Sequence, residues 1–399
     1  MKPITYITRD IERALGVKPS ATYHIVTNTC PYSEEIKKQY PDLVTLIPAS
    51  TKSLGTADLI TQYKEIHKPD VSASDLLVFK NTGRVEPVAQ GAGWHLLNPK
   101  ASLADTIENK LTQVEWLGEL GKTYLPRHAI VEVKNLTWTK EPFIIQWNHG
   151  YTGGGTLLIS SEQELQAIKQ KFPMRVARRT DFIRGPSFTV NVVVAANKIL
   201  VGNISYQITG TLPFTDNMFS TVGNDWGLTH SLLNEEEVGY IQEMAHKIGT
   251  KMNIAGWRGL FGIDVIRDDD NNKIYLIEIN ARQPASTTFE SFLQEENRRH
   301  GVTGITTFEA HLKALQGQTI SDDLILINDG AQIIQRITAQ TTSIVPQKIA
   351  DLNSNGYITI SYANTMIKED LLRIQSMQGI METHTKFNAR GKKILDILS

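Results

Sequence analysis

Cysteine is nearly absent from this 399-residue sequence, which contains only Cys30. One cysteine excludes an internal disulfide and a cysteine-rich zinc site, and this fits a reducing compartment. No paired base is evident beside Cys30, so we interpret it as a structural thiol rather than a nucleophile. The sequence also lacks an apolar run of about 18 residues and a signal peptide at its start, so we expect a cytoplasmic protein that spans no membrane.

An excess of charge of either sign is lacking as well. The sequence has 41 Lys and Arg against 42 Asp and Glu, and its formal net charge is −1. This balance gives no electrostatic indication of a nucleic-acid partner or of binding to an acidic membrane. No internal repeat and no low-complexity segment occurs, and the length favours two or three domains with large cores.

The two ends of the chain carry different patterns of strands and helices. Residues 1–100 alternate short apolar strands with helical stretches, which is typical of a small α/β domain with a parallel sheet. The predicted strands are Thr22–Thr27, Leu43–Ile47 and Leu76–Phe79, and the predicted helices are Ser33–Tyr40 and Thr56–His67. Residues 317–399 alternate more weakly, and we interpret them as a small α+β segment or a lid.

A helix is predicted from Ser102 to Gly121. Ser102 and Asp105 form a capping-box-like start, and apolar residues recur at helical spacing until Gly121. Lys110 lies on this helix, where a lysine is most often a solvated surface residue. Further predicted helices are Ser161–Phe172, Asn234–Ile248 and Thr307–Leu315, and further predicted strands are Ala129–Val133, Phe143–Trp147, Leu157–Ile159, Arg175–Phe182, Phe188–Val194 and Ile199–Ser205.

A glycine-dense loop, residues 150–156, joins two of these strands. Its backbone N–H groups could turn toward an anion such as a triphosphate. A P-loop would need a lysine in place of Thr156, and no GxGxxG motif is present, so the familiar nucleotide-binding loops do not fit. A flexible hairpin turn is the alternative.

The segment Gly259–Arg282 has the pattern of a β-hairpin with two alternating apolar arms. If residues 270–272 form its loop, Asp264 lies directly opposite Glu278, and Asn280 shares the face of Glu278. Two adjacent carboxylates are costly to bury unless a cation neutralises them, and Mg²⁺ accepts carboxylate and amide oxygens. The hairpin therefore predicts a magnesium site, with a solvated strand face as the alternative.

Taken together, residues 1–316 resemble the ATP-grasp superfamily, in particular its branch with biotin carboxylase and D-alanine–D-alanine ligase. The resemblance rests on the order and spacing of the α/β start, the helix with Lys110, the strand–glycine loop–strand, the segment Thr180–Val190 and the hairpin. It implies an α/β and α+β protein with an ATP-grasp fold. An α/β pre-domain would span residues 1–100, an ATP-grasp domain 101–316 with a lid subdomain at about 125–182, and a small C-terminal α+β segment 317–399.

The resemblance also implies that ATP is held with Mg²⁺ (or Mn²⁺) between two lobes. Asp264, Glu278 and Asn280 match the family's magnesium ligands. Arg282 matches the arginine that stabilises the reacting acyl phosphate, and Lys110 matches a phosphate-binding lysine. The other implied ATP contacts are Gly153, Gly154, Gly155 and Thr156 in a lid over the phosphates and Asp181, Phe182 and Ile183 at the adenine edge.

Two positions depart from the family pattern. Gln146 stands where the family usually has a second lysine, and Ser187 stands where many members carry a ribose-binding glutamate. Glutamine can donate hydrogen bonds to a phosphate but supplies no positive charge. Mg²⁺, Lys110 and the loop amides would still oppose the phosphate charge, so the loss of one cation need not abolish the reaction.

The activity implied by the resemblance is ADP-forming ligation of a small-molecule carboxylate to an amine through an acyl phosphate. Arg282 would stabilise the oxyanion of the second step. Arg258 is a candidate for orienting the substrate carboxylate, with a surface arginine as the equal alternative. No nucleic-acid or membrane partner is expected, and a homodimer is left open.

Three other functions are weaker interpretations of the same sequence. A degenerate ATP-grasp module would bind nucleotide for regulation or scaffolding, and Gln146 and Ser187 are its support. An α/β oxidoreductase would need a dinucleotide glycine fingerprint, which is absent. A biotin-dependent carboxylation would need a separate biotin carrier.

Overall fold

The computed structural model describes residues 2–48, 53–148 and 155–399 of the chain. Its first elements are the strands β1 (Ile4–Thr8), β2 (Tyr23–Asn28), β3 (Val44–Ile47) and β4 (Asp75–Val78) and the helices α1 (Pro31–Gln39), α2 (Thr56–His67) and α3 (Val85–Gly91). The strands form a parallel sheet in the order β3-β2-β1-β4, with α2 and α3 on one face and α1 on the other. The predicted parallel α/β sheet is confirmed. Its fully buried strand β1 was not predicted.

Three short helices follow: α4 (Ala101–Glu108), α5 (Thr112–Leu117) and α6 (Glu119–Tyr124). The single helix predicted from Ser102 to Gly121 is therefore wrong. The backbone leaves the helical conformation at Asn109 (φ −66°, ψ 125°), and Nε2 of Gln113 donates to the carbonyl oxygen of Ile107 at the end of α4 (2.9 Å). Lys110 consequently lies in the break between two helices.

A second sheet, here called the small sheet, is antiparallel. It contains β5 (His128–Glu132), β6 (Phe143–Gln146), β7 (Thr156–Ile159) and β8 (Val176–Asp181), with helix α7 (Glu162–Lys171) between β7 and β8. The strand order is β5-β8-β6-β7. Side chains alternate along β6 and β8, so Ile145 and Ala177 join the core under α7, and Gln146 and Arg178 lie on the opposite face.

The third sheet, the large sheet, has eight antiparallel strands in the described chain. Its elements and those packed around it are β9 (Ser187–Val194), β10 (Ile199–Thr209), β11 (Thr221–Asp225), α8 (Trp226–Leu232), α9 (Glu235–Ile254), β12 (Gly259–Arg267), β13 (Ile274–Asn280), α10 (Thr287–Arg299), α11 (Thr307–Leu315), β14 (Ala331–Arg336), α12 (Pro346–Ser354), β15 (Ile358–Ser361), β16 (Asp370–Ser376), β17 (Met381–Thr383), β18 (Lys386–Phe387) and α13 (Ala389–Leu398). The order is β13-β12-β9-β10-β11-β14-β16-β15, and β17 pairs only with β18. Residues 317–399 thus supply three strands of the large sheet, and the predicted domain limits stay predictions.

Helix α9 runs to Ile254 rather than ending at Ile248. Gly249 lies inside the helix at a site of close packing, since a β-carbon there would lie 2.6 Å from Cγ2 of Ile199 on β10. The predicted helix Thr307–Leu315 is confirmed as α11. In the described part of the chain, no helix combines the length and the hydropathy needed to cross a bilayer.

Strands β12 and β13 form the predicted hairpin, and Asp264 pairs with Glu278 as expected. The ladder shifts by one residue beside this pair, since Val265 pairs with Leu276. Ile277 is therefore an extra residue on β13, which is the geometry of a β-bulge. The bulge was not predicted, and it changes where the backbone of β13 can form hydrogen bonds.

Candidate active site

The carboxylates of Asp264 and Glu278 lie on neighbouring strands of the hairpin. Oδ1 of Asp264 accepts a hydrogen bond from Oγ1 of Thr189 (2.8 Å), and Oδ2 accepts one from Nδ2 of Asn280 (3.0 Å). Burial, together with the negative charge of Glu278, raises the pKa of Asp264 to about 6, although these hydrogen bonds oppose the shift. A cation beside the two carboxylates would relieve their repulsion.

Glu278 is partly neutralised by Lys110, which reaches the hairpin from the break between α4 and α5. Nζ of Lys110 lies 2.9 Å from Oε1 of Glu278, and the lysine side chain is only 11% exposed. Burial raises the pKa of Glu278, but Lys110, Arg282 and Arg178 together outweigh this effect, and the pKa is lowered overall. Burial also lowers the pKa of Lys110, against the attraction of Glu278. The helix break is thus what brings this charge into contact with the hairpin.

Arg282 lies just beyond the end of β13. Its Nη1 donates to Oδ1 of Asn280 (2.5 Å) and lies 3.5 Å from Oε1 of Glu108, the last residue of α4. The other carboxylate oxygen of Glu108 pairs with Lys80, which follows β4. Within the described chain these contacts use Nη1 alone, and the guanidinium has further N–H donors for an anion.

Gln146 ends β6 and has a buried arginine beside it. Nε and Nη2 of Arg178 donate to Oε1 of Gln146 at 2.8 and 2.6 Å. Nη1 donates to Oε1 of Gln113 (3.3 Å), and Nη2 donates to the carbonyl oxygen of Ile277 (3.4 Å). Arg178 is 3% exposed, and burial lowers its pKa to about 10 against the attraction of Glu278. One arginine therefore links the small sheet, helix α5 and the hairpin.

The segment predicted to contact adenine lies where the small sheet connects to the large sheet. Asp181 ends β8, Phe182 and Ile183 follow it, and Ser187 begins β9. The carboxylate of Asp181 pairs with Arg179. All four predicted residues are partly exposed. Their positions suit a connection between two lobes, and their roles toward a nucleotide stay predictions.

The predicted phosphate lid is only partly described. Gly153 and Gly154 lie outside the described residues. The carbonyl oxygen of Gly155 accepts a hydrogen bond from the N–H of Trp147 (2.8 Å), and Thr156 begins β7. The end of the loop is therefore paired with the end of β6.

Arg258 is not brought to this site. It precedes β12, where its Nη1 donates to Oδ1 of Asn253 (2.5 Å) and to the carbonyl oxygen of Trp257 (2.6 Å). Asp264 is six residues further along an extended strand, about 20 Å away. Arg258 thus holds the end of α9, and the structure gives its predicted role in substrate binding no support.

Comparison with known proteins identifies the central part of the chain. The family model for the ATP-grasp domain matches residues 107–286. The chain contains an ATP-grasp domain. The resemblance inferred from the sequence is confirmed by this match. A search of curated proteins found none that matches the sequence.

Solved structures share the ATP-grasp fold over nearly the whole chain. N5-carboxyaminoimidazole synthetase from Staphylococcus aureus is 13% identical, with a TM-score of 0.66 over 100% of this chain and 97% of that chain. N5-carboxyaminoimidazole synthase from Aspergillus clavatus, in complex with ADP and 5-aminoimidazole ribonucleotide, is 14% identical, with a TM-score of 0.65 over 99% and 98%. L-amino acid ligase from Bacillus licheniformis is also 14% identical, with a TM-score of 0.65 over 100% and 97%. At these identities the likeness shows the fold, and the predicted ATP-grasp fold class is confirmed.

The acidic hairpin of the ATP-grasp domain fits a divalent cation by its chemistry. Asp264 and Glu278 offer carboxylate oxygens, which are ligands that Mg²⁺ prefers. The amide oxygen of Asn280 accepts from Arg282 in this structure, and it would join the carboxylates once the amide is turned toward them. Among the described residues no group of three or more His, Cys, Asp or Glu side chains is placed to hold a metal. A cation here would therefore take part of its coordination from water or phosphate, as Mg²⁺ does in phosphate-transfer sites.

Arg178 is the residue of this site that sequence reasoning missed. The one available signal is a polar run inside the predicted strand. Arg178, Arg179 and Thr180 directly follow the apolar residues Val176 and Ala177. Its pairing with Gln146 depends on the antiparallel register of β6 and β8, which places the two residues opposite each other. Since β6 and β8 are not consecutive strands, no local pattern predicts that register.

Proposed function

We propose that the protein is an ADP-forming ligase that activates a small-molecule carboxylate with ATP and transfers it to an amine. One observation carries this proposal. The carboxylates of Asp264 and Glu278 lie together with three cations, Lys110, Arg178 and Arg282. A site with both signs of charge suits a phosphate chain that is neutralised by a divalent cation and by basic side chains.

In this proposal Asp264, Glu278 and Asn280 hold Mg²⁺ (or Mn²⁺), which withdraws charge from the ATP phosphates when it is bound. The end of the glycine loop, at Gly155 and Thr156, would cover those phosphates. The adenine would lie against Asp181, Phe182 and Ile183, and the ribose near Ser187. Gly153 and Gly154 are assigned to the same lid on the sequence resemblance alone.

The reaction would consist of two displacements. A carboxylate oxygen of the substrate attacks the γ-phosphorus of ATP, the bond from that phosphorus to the bridging oxygen breaks, and ADP leaves. The amine nitrogen then attacks the carbonyl carbon of the acyl phosphate, inorganic phosphate leaves, and the nitrogen loses a proton to give the amide. Lys110 would stabilise charge on the phosphates. Arg282, held by Asn280 and Glu108, would stabilise the oxyanion of the second step.

The names of similar proteins support this class of reaction. The Bacillus licheniformis protein is an L-amino acid ligase, a synthetase structure from Staphylococcus aureus contains ADP, and one from Aspergillus clavatus contains ATP. We therefore include amino acids among the candidate substrates. We also propose the division into a pre-domain (1–100), an ATP-grasp domain (101–316, with its lid at 125–182) and a C-terminal segment (317–399).

A second function is favoured by one observation. Gln146 supplies no positive charge where a lysine is expected, as a nucleotide-binding module without turnover would allow. Against it stands the complete set Asp264, Glu278, Asn280 and Arg282. The two functions differ in whether ATP is consumed.

The experiment is ADP release by the purified protein with Mg²⁺-ATP, over a panel of amino acids and other carboxylates paired with amines, with amide products identified by mass spectrometry. We expect ADP release that requires both a carboxylate and an amine. Calorimetric ATP binding without ADP release for any pair would favour the binding module. Absence of ATP binding would contradict both functions.

A further inference from the structure

The pairing of Gln146 with Arg178 has consequences for how the site could bind phosphate. The two residues lie directly opposite each other on β6 and β8, on the face turned away from the small-sheet core. Two N–H groups of the guanidinium donate to one acceptor, Oε1 of Gln146, at 2.8 and 2.6 Å. Because an arginine only donates, it fixes which end of the glutamine amide faces it.

The orientation of Gln146 leaves its Nε2 group directed away from Arg178. Gln146 is 5% exposed, and within residues 2–48, 53–148 and 155–399 its Nε2 donates no hydrogen bond. The residue is the last of β6, and Trp147 after it pairs with Gly155 at the far end of the glycine loop. The amide of Gln146 thus lies one residue before the point where Trp147 pairs with Gly155.

Arg178 is buried with no described carboxylate at ion-pair distance, although Glu278 attracts it from further away. Its partners are Gln146, Gln113 and the carbonyl oxygen of Ile277, all of them uncharged. None of the ion pairs formed between described residues includes Arg178. A buried charge is costly unless an opposite charge compensates it, and Arg178 is 3% exposed. A buried guanidinium whose hydrogen-bond partners are all uncharged, beside a glutamine where a lysine is expected, suits an anionic ligand.

We propose that Arg178 and Gln146 together bind the phosphate tail of ATP and replace the single lysine expected at position 146. Gln146 donates its amide hydrogens to a phosphate oxygen. Arg178 supplies the positive charge behind it and holds the amide in the donating orientation, so Arg178 is a positioning residue. This inference rests on the proposed function insofar as it takes ATP to be the ligand.

The test measures the affinity of the full-length protein for Mg²⁺-ATP and for AMP by calorimetry. Gln146→Glu forms an ion pair with Arg178 and should fold normally, yet it neutralises the charge and presents a carboxylate to phosphate. We expect it to weaken ATP binding at least about 100-fold, since charge-assisted hydrogen bonds and a repulsion are both involved. AMP binding should change less than about threefold, because AMP lacks the β- and γ-phosphates.

A second comparison separates a phosphate-binding role from a scaffolding role. Arg178→Met should weaken ATP binding by about 10- to 100-fold, the range expected for lost hydrogen bonds to a charged group. Gln146→Lys alone should bind worse than wild type, because two cations would then meet in a buried place. Combining Gln146→Lys with Arg178→Met should restore ATP affinity to within about fivefold of wild type, since the double variant recreates one lysine at the expected position. The control is Arg84→Met, which removes an exposed charge that pairs with Asp58 in the N-terminal α/β part of the chain, and it should leave ATP affinity unchanged.

The outcomes are distinct. Undiminished ATP affinity in Gln146→Glu would overturn the proposal that Arg178 and Gln146 bind phosphate together. So would a double variant that binds ATP no more tightly than Arg178→Met. If wild type binds ATP but releases no ADP, the proposed ligase function fails. The ATP and AMP affinities of the variants then still test the phosphate-binding role of Arg178 and Gln146. If wild type binds no ATP, both proposals fall.

Discussion

Replacing Glu278 by glutamine changes one charge of the acidic hairpin and almost none of its shape. The carboxylate is proposed to hold Mg²⁺ and lies 2.9 Å from Nζ of Lys110, with the glutamate side chain 36% exposed. Two unit charges about 4 Å apart, such as this carboxylate and a bound cation, interact by at most about 4 kcal/mol near a protein surface. Water around a partly exposed group can halve this, so the range is about 2 to 4 kcal/mol. At 1.36 kcal/mol for each factor of ten, kcat/KM for ATP should fall by about 30- to 1,000-fold.

The stability of the ligand-free protein should change much less. Glu278→Gln removes the attraction to Lys110, but it also removes the negative charge that helps to raise the pKa of Asp264. The two effects oppose each other, so we expect the Tm to stay within about 4 °C of wild type. Loss of activity with a nearly unchanged Tm is the signature of a site residue.

The assay is continuous ADP release at several Mg²⁺ concentrations, with the substrates found active in the panel. Glu243→Gln is the matched control, because Glu243 is an exposed residue of α9 that pairs with Lys247. A kcat/KM within threefold of wild type in Glu278→Gln would refute the assignment of this carboxylate to the metal site.

Two further predictions concern stability. Burial lowers the pKa of His311 from its ordinary 6.5 to about 3, and its Nδ1 accepts the N–H of Leu260 (3.0 Å). The folded state therefore needs the neutral ring, and below pH 6.5 only the unfolded state gains the proton. Stability should fall as the pH drops from 6.5 toward 3, by up to about 1.4 kcal/mol per pH unit, and urea unfolding of His311→Gln should lose this part of the dependence; an unchanged slope would contradict it. Gly185 has φ +144°, and a β-carbon there would lie 1.9 Å from the carbonyl oxygen of Arg267, so Gly185→Ala should cost more than about 2 kcal/mol in denaturant unfolding, whereas Gly83→Ala, with open space around it, should be neutral.

The hairpin shows which parts of the site local reasoning could reach. Alternation along two consecutive strands, with a polar loop between them, was enough to pair Asp264 with Glu278. The bulge at Ile277 was out of reach. Its carbonyl oxygen is a partner of Arg178, which lies 99 positions away in the chain.

Lys110 is a candidate site residue whose position the local pattern did not predict. The helical pattern around it predicted a solvated lysine, and only the family resemblance assigned it to phosphate. The structure breaks that helix at Asn109 and so brings Lys110 to Glu278. Helix periodicity gives no sign of this break, because the apolar spacing continues through it.

The sequence by itself determined many of the strands and helices and the acidic hairpin, because each depends on patterns within short stretches of chain. The order and spacing of its motifs indicated the ATP-grasp fold. Only the tertiary structure decided which cations surround the two carboxylates. Lys110 and Arg178 come from a helix break and from a different sheet, and their positions follow from packing between distant segments. The energy of a buried charge depends on all neighbours in space, and those neighbours are known only once the chain has folded.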